Sequence, residues 1–549
     1  MTSNDEKKLV SRRNFLKGAG IGVAAASSAG FLAGCGPQAA EPTAEPASGT
    51  EAEPAAGNAA VEQASFLTPP DPIPADEIVD TKSADVVILG AGLSGLCAAN
   101  AAAGQGASVI ILEKRETYTF HGMDNGVIGS RLHVAEGVDL PKDQVMADVM
   151  RFGGYRQNPR LVSLWANESG RVMDLLLDMA DAEGLEYSID NDIKEHWPYR
   201  EFASSVQFAP ARQGTLIPLL EQNAKDAGVE ILYETPAVQL VQDASGKITG
   251  VIGEGAEGYI QVDAAKGVII CTGGYGSNKE MLAQYAPRAV NIVNNQYIEQ
   301  SNMGDGILMG MWVGGAKQDS SCPMLWDGHI PGIGGMHMTL ARQPWLYVNV
   351  LGERYANEDA PFGYTANQDI KQPTSMKWAV WDAKWETDVM QLHGTVCEAM
   401  HPPFWSEDSY QSYMDDGVII EAGTLEELAE KMEVPVDTFL ATVERYNELY
   451  ELGMDDDFGK DPAKLTSIVE APFGAAKVGT GILVTCDGLR INTGMQVLTA
   501  EGEPIPGLYA AGNASGDFFA QDYPIDVHGL SHGRALTFGW LAGEAVASA

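Results

Sequence analysis

The sequence contains no CxxC pair and no CxxCH motif. The missing CxxCH removes covalently attached haem. Six cysteines scattered over 549 residues support neither a disulfide scaffold nor a zinc site. No local cysteine pattern supports an iron–sulfur cluster either, and no metal is expected. Basic residues are scarce, with 35 Lys and Arg against 75 Asp and Glu and a net charge of −40. A chain of that charge repels phosphates, which excludes nucleic acid as a partner. It suits a basic electron-transfer partner, although a high charge is ordinarily just solvated surface. The sequence shows no internal repeat. The apolar run from Gly18 to Ala33 is too short and too rich in Gly, Ala and Ser to span a membrane.

What precedes that run gives it a different meaning. Arg12-Arg13, Phe15, Leu16 and Lys17 in front of a mild apolar segment read as a twin-arginine export signal. That route carries folded proteins, so a cofactor loaded inside the cell is expected downstream. The run ends in Leu32-Ala33-Gly34-Cys35, which resembles a lipobox. Cleavage before Cys35 and its lipidation would tether the mature protein to the outer face of the cell membrane. Residues 1–35 are thus expected to be a signal. Residues 36–78 are rich in Ala, Pro, Glu, Gly and Thr, and read as a disordered stalk.

The first chemistry lies in "ADVVILGAGLSGLCAANAAAGQGASVIILEK". Asp85 to Leu89 predicts a short β-strand, and a helix follows to about Ala103. A second strand, Ser108 to Leu112, ends at Glu113. In between, Gly90 allows a tight turn, Gly92 lets backbone approach a pyrophosphate, and Gly95 lets the helix pack against the strand. The helix N-terminus offers N–H groups and a positive dipole end. Glu113 stands where a carboxylate accepts hydrogen bonds from a ribose hydroxyl pair. Strand, glycines, helix, second strand and acid occur in register, which is far more specific than the glycines alone.

Distant motifs decide which dinucleotide. "GKITGVIGEG" and "GVIICTGGYGSN" look like return strands of an FAD domain, ending at Thr272-Gly273. "SNMGDGILMGMWVGGA" carries the turn at Asp305, and "GLYAAGNASG" a late strand and turn with Gly512 and Asn513. "GLSHGRALTFGWLAGEAVA" closes the chain as a helix. In this order, the segments resemble the flavoprotein superfamily of fumarate reductases, flavocytochromes c, urocanate reductase and 3-ketosteroid dehydrogenases, from about residue 82 to the end. "GTLEELAEKMEVPVDTFLATVERYNELYELGMDDDFGKD" is similar to that family's cap.

The resemblance implies an α/β fold: a Rossmann-like FAD domain of the glutathione-reductase type, split around an inserted α+β cap. The FAD domain is expected at 80–322 and 478–549, the cap at 323–477. FAD is expected to be bound non-covalently. The resemblance also assigns cofactor contacts to Ala91, Ser94, Lys114, Val238, Gly529, Leu530 and Ser531. Near Gly529 to Ser531 the final helix would turn its N–H groups toward the flavin and favour its reduced, anionic form.

The chain departs from the fumarate reductases at their substrate clamp. Their proton donor, an Arg, follows a segment kept here as "YVNVLGERYANED", and counting places Phe362 there. Their clamp His falls on Leu483 or Val484, and their substrate Arg on Asp526. Two carboxylates would be poorly paired in such a pocket, which argues against fumarate. Tyr523 matches loosely a Tyr with which ketosteroid dehydrogenases polarise a ketone. Tyr364, just past Phe362, is a second candidate acid. Arg342 is placed like an Arg of the fumarate reductases' proton path. Among His121, His329, His528 and His532, the nearest to the flavin turn is His528. Arg534 on the final helix reads as structural.

Three functions compete. The first is an exported reductase that adds hydride to the C=C of an α,β-unsaturated carbonyl compound, fed by a cytochrome or membrane-bound donor. The second is a ketosteroid-type dehydrogenase running oxidatively. The third is a non-enzymatic flavin electron carrier, which would gain nothing from a cap.

Overall fold

The computed structural model describes residues 64–120, 122–190, 201–290, 292, 301–331, 340–392 and 407–549. The expected signal with Cys35, most of the expected stalk, and His121 lie outside these residues. The described residues form one unit.

Its centre is an eight-stranded sheet. β1 (Ile78–Leu89) carries the apolar run Val86 to Leu89, every residue of it fully buried. Such a run suits a parallel strand covered on both faces. The helix α1 (Leu93–Gly104) follows, then β2 (Val109–Leu112), parallel to β1 with Val86 opposite Val109 and Leu89 opposite Leu112. On the other side of β1 lies the strand Gly258–Ile270, also parallel, and beyond it Pro504–Ala510. The late strand therefore returns to the sheet after some 230 intervening residues, and the FAD domain is split as expected. Strands Ala237–Gln242 and Ile248–Gly255 extend Gly258–Ile270 as an antiparallel meander.

The C-terminal helix Leu530–Ala547 packs on α1 through small residues. A Cβ on Gly539 would lie 2.3 Å from the Ser94 carbonyl oxygen, and one on Gly543 2.2 Å from that of Ala98. The two backbones thus nearly touch, which fixes the start of the final helix beside the turn after β1. The helix Pro159–Ala182 buries Leu161, Trp165, Val172 and Leu176, and Trp165 Nε1 donates to the Gly126 carbonyl at 3.2 Å.

The cap is a five-stranded antiparallel sheet with helices, built on the strand Phe473–Thr485. That strand pairs with Pro323–His329, Met376–Trp381 and Ile419–Ala422. Leu346–Val348 completes the sheet by pairing with Met376–Trp381. One apolar cluster gathers Trp345, Trp381 and Trp385, and another gathers Trp378, Phe439 and Tyr446. Two expected boundaries shift. The division at 477/478 falls inside the strand Phe473–Thr485, because one continuous strand serves the whole cap sheet. The stalk expected to 78 is fastened earlier: Phe66 packs on the core and its carbonyl accepts from Trp312 Nε1 at 2.9 Å. Ile73 N–H donates to Gln239 Oε1 at 3.0 Å.

Among the described residues no helix is long and apolar enough to cross a membrane. Cys97, Cys271, Cys322 and Cys486 are buried thiols.

Candidate active site

β1 ends at Leu89, and the chain turns through Gly90, with φ +100°, a conformation that favours glycine. A Cβ on Gly95 would come within 2.0 Å of the Gly90 carbonyl oxygen, so helix and turn pack with no room for a side chain. The turn opens on a cleft at the C-terminal ends of the parallel strands. Gly90, Gly92, Ser94, Glu113, Lys114, Thr272, Gly273, Asp305, Gly512, Asn513 and Ser531 all line it. Residues up to 441 positions apart therefore meet in one place, as the motifs implied.

Three features show what the cleft suits. A Cβ on Gly92 would meet only the Thr119 carbonyl oxygen, at 3.8 Å, so the missing side chain leaves room for a group lying close to backbone. The buried Thr272 Oγ1 has no hydrogen-bond partner among the described residues and lies at the cleft wall. The N-termini of α1 and of the final helix both arrive here, which favours an anion. Glu113 is buried, and its two oxygens accept N–H bonds from Ala91 (2.8 Å) and Arg115 (3.0 Å), leaving further lone pairs for a ribose. These residues fit FAD.

Some expected contacts turn out differently. The Ala91 N–H is taken by Glu113. Lys114 and Asp305 pair with each other at 2.8 Å. Pro236 and Ala237 line the cleft, whereas Val238 beside them does not. Gly95, Gly529 and Leu530 shape the backbone around the cleft without lining it, and Leu530 is fully buried in the core.

The catalytic candidates separate into groups. Tyr523 is buried, and its hydroxyl oxygen accepts the Ser531 N–H at 2.8 Å, which ties it to the first turn of the final helix and to the cleft wall. Burial pushes its phenol well above the ordinary tyrosine range, while the Ser531 N–H pulls the other way. Phe362 stacks on Trp326 at 5.5 Å with an interplanar angle of 22°. The Arg342 guanidinium covers both rings, 4.3 Å from Trp326 and 5.1 Å from Phe362. Tyr364, two residues further along the same helix, stacks on Phe152 of the FAD domain at 5.3 Å. Arg342 and Phe362 thus pack together on the cap side, with Tyr364 reaching Phe152, and like Tyr523 none of them lines the cleft itself. His528 stands apart: its Nε2 is 3.9 Å from Glu201 Oε2, both side chains are buried, and it does not line the cleft.

The FAD binding domain family matches residues 85–523. The chain belongs to that family. A vinyl phenol reductase of Lactiplantibacillus plantarum is 28% identical over 486 residues, covering 84% of this chain and 96% of the relative. A 3-oxosteroid 1-dehydrogenase of Mycolicibacterium smegmatis is 30% identical, covering 61% of this chain and 62% of its own. Among solved structures, the open conformation of a flavocytochrome c3 fumarate reductase aligns with a TM-score of 0.68 at 24% identity, over 86% of this chain and 79% of its own. The protein is an FAD-dependent oxidoreductase acting on CH–CH groups.

In this flavoenzyme, sequence reasoning missed several groups. Thr119, Phe120 and Gln213 line the cleft from segments without a motif, and Asn302 lines it from within the quoted "SNMGDG" segment without having been singled out. Asn302 has a signal only in hindsight: a Cβ on Gly273 would strike its Oδ1 at 2.5 Å. His532, weighed less than His528, lines the cleft and hydrogen-bonds the Asp124 carbonyl through Nδ1 at 2.8 Å. A buried charge network in the cap was also missed. Asp327 receives Arg342 Nε at 3.3 Å and Lys377 Nζ at 2.7 Å, and Lys377 also reaches Asp369 at 3.3 Å. His329 beside it is pushed down to about 4 by burial and by Arg342, so the imidazole is neutral at physiological pH. Asp526, counted at the clamp Arg position, is buried and pushed up to about 8 by burial and by Asp148.

Proposed function

We propose that the enzyme is an exported reductase that saturates a C=C bond conjugated to a carbonyl, in a substrate bulkier and less charged than fumarate. Aryl acrylates, enones and steroid-type lactones form that class, with the aryl compounds favoured. The observation that carries this reading is Phe362, stacked on Trp326 beneath the Arg342 guanidinium, at the position where the resemblance places the fumarate reductases' proton-donating Arg. Val484, opposite Met324 in the cap sheet, adds a second apolar group at an expected clamp position. Apolar walls gain roughly 25 cal/mol per Å² of apolar substrate surface they bury, but cannot repay the desolvation of two carboxylates. Similarity to a vinyl phenol reductase over nearly its full length supports an aryl-conjugated substrate.

The flavin, held non-covalently by the turn after β1, Glu113, Thr272 and Asn513, supplies hydride when bound. Tyr523 supplies the polarising hydrogen bond or the proton. Its oxygen already accepts Ser531 N–H, so the phenol hydrogen remains free to donate. Negative charge left on that oxygen would face the N-terminus of the final helix, where it is stabilised. Tyr364 and His528 are the alternatives, and Arg342 holds the aromatic wall. Export through Arg12-Arg13 and a lipid tether at Cys35 would place the enzyme on the outer face of the membrane. Its electrons would then come from a cytochrome or a membrane-bound donor. The oxidative reading, a ketone dehydrogenase, draws on the same Tyr523 geometry.

A screen with dithionite-reduced methyl viologen as donor tests the proposal. Cinnamates, vinyl phenols, enones and a cardenolide are offered beside fumarate and urocanate. Viologen oxidation with the aryl or enone compounds is expected. Robust fumarate turnover would refute the argument from Phe362, and turnover only of saturated ketones with a quinone would establish the dehydrogenase.

A further inference from the structure

Arg534 is a buried cation with no obvious need to be charged. It is fully buried on the final helix. Its hydrogen bonds all go to neutral acceptors: Nη1 to the Ser515 carbonyl (3.1 Å) and hydroxyl (3.3 Å), and Nη2 to Asn513 Oδ1 (2.6 Å). Nε has no partner. Among the described residues no carboxylate forms an ion pair with it. The ionisable neighbours that act on it are the Cys322 and Cys486 thiols and the Tyr523 phenol; the Cys322 thiol, held by its bond to Cys486 and by burial, and the Tyr523 phenol, held by burial, are both pushed up and so stay neutral at physiological pH. The face of its guanidinium lies 5.0 Å from the Phe519 ring.

Burying a charge without an opposite charge costs several kcal/mol. A neutral side chain able to reach Asn513 and Ser515 would brace this turn more cheaply. The charge itself is therefore the feature that asks for an explanation, and its placement suggests one. Asn513, its closest partner, lines the cofactor cleft, and Ser531 Oγ also reaches Asn513 Oδ1, at 3.4 Å. Reduction adds negative charge to the flavin held in that cleft. In a low-dielectric surrounding, an unpaired cation one side chain behind the wall acts strongly on such a charge. It adds a full charge to the partial one at the start of the final helix.

We propose that Arg534 is the built-in counter-charge of the cofactor cleft, acting through Asn513 to raise the reduction potential of bound FAD and its affinity for anions. It is a positioning residue and touches no substrate. The proposal rests on the family's FAD site and on no particular substrate, so it stands or falls apart from the reductase reading.

The test uses holoenzyme carrying Arg534→Met, Arg534→Gln or Arg534→Lys. Three quantities are read: flavin content, midpoint potential by dye equilibration, and affinity for sulfite, which adds to oxidised flavin as an anion. Arg534→Lys keeps the charge and should stay within about threefold of the parent in sulfite affinity. The neutral variants should each bind sulfite at least about tenfold more weakly. The same tenfold factor in the two-electron equilibrium would lower the potential by about 30 mV. If the neutral variants lose FAD that the lysine variant retains, the requirement for charge stands. Unchanged potential and sulfite affinity in the neutral variants, equal shifts in all three, or loss of FAD in all three would return Arg534 to a purely structural role.

Discussion

Replacing Tyr523 with phenylalanine separates two things its hydroxyl does. The first is structural. The oxygen accepts the Ser531 N–H at 2.8 Å, one of the otherwise unmet donors of the final helix's first turn. Losing that bond should cost about 1 kcal/mol, as the loss of a helix cap does. Ser531 is half-buried, so water from the cleft can replace part of the bond and keep the cost from rising further. The ring itself remains packed 5.3 Å from Phe519. The variant should therefore fold, bind FAD and melt only slightly earlier.

The second role is chemical, and its size differs. A positioned acid contributes about 10²–10⁴ in rate, equivalent to about 2.7–5.4 kcal/mol of barrier. That exceeds the structural effect several-fold, so the two cannot be confused. The assay is steady-state viologen oxidation with the best substrate from the screen, run beside thermal unfolding and flavin quantitation. The expected result is kcat/KM down by about 10²-fold or more with unchanged flavin content. Because burial holds the phenol well above its ordinary range, the parent's rate should show no loss from its ionisation at neutral pH. A fall in rate under about threefold, with the same small stability loss, would show that Tyr523 only caps the helix. The acid would then be sought at Tyr364, or at His528 despite its place beside Glu201.

Two further outcomes are expected. Gly95→Val places a side chain against the Gly90 backbone, where Cβ alone would sit 2.0 Å from a carbonyl oxygen that cannot move aside; the purified variant should be largely colourless, and a normal yellow holoprotein would contradict the assigned turn. Arg12→Lys with Arg13→Lys should leave precursor in the cytoplasm, and Cys35→Ala should release mature protein from membranes; unchanged fractionation in either case would remove the export or the tether reading.

The residues legible in the sequence are those whose chemistry is local. The turn after β1 could be read because strand, glycines, helix and acid follow one another within about thirty residues, and each has a single physical reason to be there. Thr272, Asp305 and Asn513 were found through short motifs at the ends of strands or starts of helices, and all three line the cleft. The cap resisted for the opposite reason. Asp327, Arg342, Asp369 and Lys377 come from four separate elements, and nothing in their spacing marks them as one network. Their buried charges look, in the sequence, like any solvated residues. Arg534 shows the same blindness on a helix that was otherwise read correctly. An arginine there appears structural until the fold reveals that no carboxylate meets it. Tyr523 lies between these cases. Its neighbourhood could be anticipated, but its bond to Ser531 depends on how the loop between them turns into the helix, and the six loop residues 524–529 do not encode that visibly. Local motifs therefore announce the cofactor. The contacts proposed to choose the substrate, Phe362 against Trp326 above all, form only once the cap has folded, and no single motif announces them.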